Sequence, residues 1–222
     1  MSDSARARWA GETSYVAWSD APNRCLLAYP SPYHVGMSSL GFQQIYRAVL
    51  ETPEWTPVRV FNNDDEGRTP YAYELRGASF LPQAVAFSVA YELEIVGLIQ
   101  MLERLGLEPL RRHRRADDPP VVIGGPLTFS NPAPLLPFCD VLVCGEGEHL
   151  IGPVLEGLAD APRARWADRL GGLDGIVVPT DDATPKQLPV AKADDRLLPA
   201  HSAIVTPHTE LSKMYLIEPE RG

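Results

Sequence analysis

A chain of 222 residues, 45% of them hydrophobic, can bury one full core and still leave material for a tail, so one principal domain is expected. The formal charge of −9 and a pI near 5.0 argue against broad binding to nucleic acid or to anionic lipid, because either needs a face rich in Lys and Arg. Small molecules or proteins are the expected partners. Cys25, Cys139 and Cys144 are too unevenly spaced for a disulfide framework or a metal-ligand pattern, and they read as small core residues in a reducing compartment. The opening "MSDSARARWAGETSY" lacks the apolar stretch of a signal peptide, and no window approaches ~18 apolar residues. A cytoplasmic chain with no membrane partner is therefore expected.

After a polar lead-in, 1–20, short apolar runs alternate with stretches at helical period, the pattern of a parallel sheet covered by helices. Five strands are predicted at 24–29, 58–62, 84–90, 121–124 and 141–144, most of them continuously apolar as buried parallel strands are. Phe42, Ile45, Tyr46, Val49 and Leu50 mark one face of a helix between the first two strands, with Ser38 or Ser39 as its cap. Ile95, Leu98, Ile99, Leu102 and Leu105 mark a second helix, which Gly106 stops. Ile151, Val154, Leu155 and Leu158 mark a third, which tolerates Pro153 only in its first turn. The connection "NPAPLLPF" is too short and too proline-rich for a regular helix, and 64–81 gives no clear signal. Residues 175–179 are a candidate sixth strand outside the five. From there "TDDATPKQLPVAKADDRLLPAH" reads as an extended linker, followed by the apolar pieces "SAIVTP" and "KMYLIEP".

In an open parallel sheet, ligands bind beyond the carboxyl ends of the strands, so the residues just after each apolar run carry the candidate chemistry. After the first strand these are Ser31, Tyr33, His34, Val35, Gly36, Met37 and Ser38; after the third, Ser88, Val89 and Tyr91. After the fourth they are Gly124, Gly125 and Pro126; after the fifth, Gly145, Glu146 and Gly147. Paired glycines let a ligand approach the backbone, and they equally serve a tight turn. Glu146 and Glu148 stand where negative charge suits the start of the next helix, so capping is their simplest role. His34 reads as a solvated loop imidazole rather than a metal ligand, and "RRHRR" at 111–115 as a solvated connection. No phosphate-cradling glycine loop, receiver aspartate, nucleophile elbow, paired-carboxylate site or zinc site is present, and "GMSSLG" matches a flavin mononucleotide loop only loosely.

Taken together, "LLAYPSPYHVGMSSLGFQQIY", "VAFSVAYELE", "VVIGGPLTFSNPAPLLPFCDVLVCGEGE" and "HSAIVTPHTELSKMYLIEPERG" resemble the N-terminal part of cobalamin-binding-domain radical SAM proteins, in order, over about residues 20 to 222. The resemblance implies a flavodoxin-like (Rossmann-like), doubly wound, five-stranded parallel sheet in the order 2-1-3-4-5. It divides the chain into the lead-in at 1–20, a cobalamin-binding-like α/β domain at 21–180, and a linker with a first strand at 181–222. In that family a segment like "MYLIEPERG" precedes a C-x-x-x-C-x-x-C cluster that holds a [4Fe–4S] centre and S-adenosylmethionine, so those cofactors belong to a downstream radical SAM barrel, the expected partner domain. Within the domain, Ser88 and Gly124-Gly125 match the serine and Gly-Gly blocks beside the corrin's nucleotide tail. The D-x-H-x-x-G motif departs: Pro32 replaces the Asp before His34, and Gly36 falls one residue early. Without an Asp to orient the imidazole, the expectation is base-off cobalamin with no His ligand. The parent enzyme would carry a methyl group, and this stretch alone would be inactive. The rival expectation is a degenerate domain serving as a scaffold or substrate-docking module; a flavin or nucleotide module is a weaker third.

Overall fold

The computed structural model describes residues 3–63, 69–179, 188, 190–192 and 194–220. Helix α1 (Asp3–Ala10) and a two-residue strand β1 (Thr13–Ser14) precede the first long strand, β2 (Asn23–Tyr29). A single turn, α2 (Tyr33–Gly36), then leads to α3 (Leu40–Glu51) and β3 (Trp55–Phe61). Next come β4 (Ala84–Ser88), α4 (Glu94–Arg104), β5 (Val121–Gly124), the short α5 (Leu127–Ser130) and β6 (Val141–Val143). The remaining elements are α6 (Ile151–Ala159), α7 (Trp166–Leu170), β7 (Ile176–Val177), β8 (Ala200–His201), β9 (Ile204–Val205) and β10 (Ile217–Glu218). "NPAPLLPF" holds a 3₁₀ stretch, Ala133–Phe138, as its prolines require.

The main sheet has six strands in the order β3-β2-β4-β5-β6-β7. The first five run parallel and follow the predicted succession, while β7 pairs with β6 antiparallel. The sheet is thus mixed and six-stranded, and the wholly parallel five-stranded sheet expected from the sequence is corrected by β7. The physical reason is the route of the chain: after α6 it returns through α7 and Gly175, so 176–177 runs back along β6 instead of crossing over. β3 also begins three residues before its predicted start, and Pro57 sits inside it; as an edge strand it spares the ladder a donor that proline lacks.

Alternation along the strands divides the core in two. Leu27, Ala86, Val122 and Val143 face α3 and α6, joining Phe42, Tyr46, Val49, Ile151 and Leu155. Leu26, Val85, Ile123 and Leu142 face α4 and the 3₁₀ stretch, joining Leu98, Met101, Leu102 and Leu135. Helix α3 carries the cap assigned from sequence: Ser39 Oγ accepts the Phe42 N–H at 3.2 Å. Gly106, at φ +76°, ends the α4 segment.

The lead-in and the last described segment both pack on this core. Ala5 is buried, Trp18 Nε1 donates to the Pro57 carbonyl at 3.0 Å, and β1 pairs antiparallel with β9. Ala203 and Ile204 belong to the face of the core that α3 covers. Residues 64–68 of the unassigned connection, residues 180–187, 189 and 193 of the predicted linker and the closing Arg-Gly lie outside the described residues. The rest of that connection has no regular structure, but Tyr71 and Tyr73 are buried, Tyr73 stacked on Tyr33 at 5.0 Å. The "RRHRR" stretch needs a correction. Arg114 is buried, pairing with Asp140 at 3.4 Å and donating to the Phe138 carbonyl at 2.8 Å. Asp140 accepts the Val121 N–H at 2.8 Å from inside the fold, and a carboxylate buried there calls for the cations Arg114 and Arg163 beside it.

Candidate functional site

A cavity of about 280 Å³ opens at the carboxyl ends of the strands. Its floor is Leu27, Ala86, Val122 and Val143, one residue from each of β2, β4, β5 and β6, all on the α3 side of the sheet. Its walls come from Leu40, Gly41, Phe42 and Ile45 of α3 and from Ile151 of α6. The strand ends supply Phe87, Ser88, Gly124, Gly125, Pro126 and Gly145 through Glu148, and Ser39, Phe129 of α5 and Glu218 of β10 complete the lining. The origin of the space is sterically simple. At Ala86 the sheet offers only a methyl group, and beyond the floor the strand ends turn to Ser and Gly instead of large side chains.

Of the sequence candidates, the structure brings Ser88, Gly124, Gly125, Pro126, Gly145, Glu146 and Gly147 to this cavity. Two of these glycines also serve the backbone itself. Gly125 sits at φ +105°, where a Cβ would lie 2.7 Å from the Val89 N and O atoms. Gly145, at φ +93°, forms a parallel bridge with Ala191. Val89 is buried just behind the rim, its N–H donating to the Gly124 carbonyl at 2.8 Å, and Tyr91 is exposed. Neither lines the cavity.

The first loop goes elsewhere. Ser31 Oγ donates to the buried Glu94 carboxylate at 2.6 Å, and the Ala90 N–H bonds the other oxygen at 2.6 Å. Tyr33 is buried; its N–H donates to Asn63 Oδ1 at 2.8 Å and its hydroxyl to Glu12 at 2.7 Å. His34 Nε2 lies 3.5 Å from Glu210 Oε1, and its side chain is 49% exposed. Val35 packs at the edge of the core, and a Cβ on Gly36 would meet the Phe61 ring at 2.6 Å. Met37 is buried with its sulfur 3.1 Å from Arg59 Nη1, and Ser38 Oγ donates to the His34 carbonyl at 2.7 Å. The Pro-, Ser- and Gly-rich loop is therefore wedged into the aromatic core around Phe61 and Tyr73. Helix α6 starts at Ile151, beyond Glu146 and Glu148, with Leu150 at its N-cap, and the Leu150 and Ile151 N–H groups both donate to the Gly147 carbonyl.

Sequence reading missed Ser39, Gly41, Phe42 and Ile45 of α3, as well as Phe129 and Glu218. The helical residues were visible only as a core face, and nothing local in the sequence tells a core-facing residue from one that walls a cavity. Among the described residues no three His, Cys, Asp or Glu side chains cluster as a metal site, and no helix is long and apolar enough to cross a membrane.

These features define an open α/β domain with a largely apolar pocket at the carboxyl edge of its sheet. Residues 41–179, more than half of the chain, match the family described as "Radical SAM proteins, N-terminal", and the chain belongs to that family. No curated protein matches the sequence. One similar solved structure is the radical S-adenosylmethionine methyltransferase TsrM from Kitasatospora setae, with tryptophan substrate and a SAM analogue (aza-SAM) bound. The two share 17% identity at a TM-score of 0.48, over 72% of this chain and 29% of that one. That likeness is slight, and this chain spans under a third of that protein's length.

Proposed function

We propose that this chain is the cobalamin-binding-like N-terminal module of a radical SAM enzyme, a methyltransferase in the favoured case, and that it is inactive without its catalytic domain. Membership of the radical SAM N-terminal family supports the association with a SAM- and cluster-bearing domain. The observation that carries the cobalamin reading is the cavity at the carboxyl edge, where three of the four strand-end groups singled out in the sequence meet: Ser88, Gly124 through Pro126 and Gly145 through Gly147. At about 280 Å³ it lies at the small end of ligand pockets, suiting one arm of a large cofactor. Its floor is aliphatic, and Ser39 and Ser88 are among the residues that line it. His34 has no place in this site, in keeping with base-off binding without a His ligand.

Bound cobalamin supplies a cobalt that carries an alkyl group; the chain's own residues position the cofactor and keep water from it. In this reading 21–180 is the cofactor module, 1–20 braces it, and 181–222 leads to the radical SAM domain. Buried free thiols, Cys25 pushed up to about 12 and Cys144 to about 11 by burial, suit a reducing cytoplasm.

The scaffold reading keeps one specific observation in its favour: the loop after β2 fills the core instead of facing the cavity. The two are separated by adding hydroxocobalamin, desalting and recording the visible spectrum. Retained corrin absorbance, lost in a Gly124→Val variant whose circular dichroism spectrum matches the parent's, supports the module; a Cβ at Gly124 meets nothing closer than 3.5 Å. No retention in a chain with an intact circular dichroism spectrum leaves the scaffold.

A further inference from the structure

We propose that residues 214–218 form a hinged strap that completes one wall of the cavity with Glu218 and closes when the cavity is filled. The strap grows from a firmly held base. Gln43 Oε1 accepts the Ala203 and Ile204 N–H groups at 2.8 and 2.9 Å, and Gln44 Nε2 donates to the His201 carbonyl at 2.6 Å. Ala203 and Ile204 are buried, and β9 pairs with β1. Beyond this base, Ser212 and Lys213 sit at φ +37° and +32°, left-handed conformations that cost non-glycine residues energy and concentrate where a chain bends.

Past that turn none of residues 214–218 is buried. β10 makes a two-residue pairing with β8, backed by the Leu216 N–H on Ser202 Oγ at 2.9 Å and the Ser202 N–H on the Leu216 carbonyl at 3.0 Å. Met214 and Ile217 are 63% and 62% exposed, and the apolar contact that opposes opening is the Tyr215 ring, 41% exposed, edge-on to Tyr15 at 5.0 Å and 6.0 Å from the His201 ring. Glu218, across from Ala200 in that pairing, nevertheless lines the cavity. The same helix serves both ends of the device: Leu40, Gly41, Phe42 and Ile45 wall the cavity, while Gln43 and Gln44 grip the base. A ligand that touches the closed wall must favour closure, and closure must tighten the ligand by the same factor.

The choice of probe rests on the cobalamin reading; the strap itself does not. Hydrogen exchange on the 222-residue chain is measured with and without hydroxocobalamin. In the free chain the 214–218 segment exchanges at least tenfold faster than 203–206, and bound corrinoid slows 214–218 at least tenfold while leaving 203–206 unchanged. A second arm needs no ligand. Ala86→Cys places a thiol on the cavity floor, and Ser202→Ala removes the acceptor of the Leu216 N–H, so iodoacetamide labels that thiol at least threefold faster in the double variant than in the single one. Corrinoid uptake with unchanged 214–218 exchange, or equal labelling rates, overturns the strap. If no corrinoid is taken up, the cobalamin reading falls, and the labelling rates alone uphold or overturn the strap.

Discussion

Arg59 is an arginine in the middle of a buried strand, flanked by two acids that local sequence does not connect. Its guanidinium bonds Glu12 at 2.8 Å and Glu74 at 2.5 Å, lies over the Tyr46 and Tyr73 rings, and is almost wholly out of water. One cation between two buried carboxylates leaves a net negative charge that burial resists. Burial accordingly pushes the Glu74 carboxyl above its ordinary value, against the pull of Arg59. The folded chain therefore holds this proton where the unfolded chain has lost it. The stabilisation is full below the ordinary value of 4.5 and is lost as pH rises through the raised folded value. Glu74→Gln should flatten the fall in stability above pH 4.5, read from urea midpoints across that range against the parent chain. His34 belongs to the opposite case, exposed beside Glu210 and outside the cavity lining. His34→Ala should leave the retention and visible spectrum of hydroxocobalamin unchanged; altered corrin absorbance would place the imidazole on cobalt after all.

At the scale of elements, the α2 turn shows how one small residue sets a packing distance. Gly36 brings the turn flush against Phe61 and Tyr29, and an added Cβ would sit 2.6 Å from one ring and 2.9 Å from the other. Gly36→Ala should destabilise the fold by about 1–3 kcal/mol through overpacking, measured by urea unfolding. Its effect on corrin retention should be no greater than that loss explains, since the turn does not line the cavity. Helix α3 differs in having work on two sides. Its apolar side walls the cavity and its glutamines hold the chain at 200–206, so two distant parts of the sequence meet on one element.

For the molecule as a whole, the polar lead-in is a structural member. Glu12 reaches Arg59 and the Tyr33 hydroxyl, Ala5 is buried, and β1 adds to β9. Deleting residues 1–14 leaves Arg59 paired with Glu74 but removes its charged hydrogen bonds to Glu12, each of a kind that contributes about 1.5–3 kcal/mol, together with the buried Ala5 and the β1 pairing. The truncated chain should unfold at a urea midpoint lower by an amount of that order. In the full chain, tryptophan fluorescence and far-ultraviolet circular dichroism should trace one coincident transition, because Trp9, Trp18, Trp55 and Trp166 all pack against the same core face. Separate transitions would show the lead-in to be an independent appendage.

The sequence alone determined the alternation of strands and helices, the α3 cap and the glycine stop after α4. Each of these depends on residues a few positions apart, through periodicity, capping and backbone freedom. It also marked Ser88, Gly124, Gly125 and Gly145 as unusual, because small residues at strand ends are visible one loop at a time. Only the tertiary structure decided that β7 turns back, that Arg114 is buried and that the His34 loop wedges into the core. Likewise only the fold brought Phe129 and Glu218 to the cavity. Those outcomes follow from close packing and charge pairing between residues tens of positions apart, and no local pattern encodes which distant partner fills a given space.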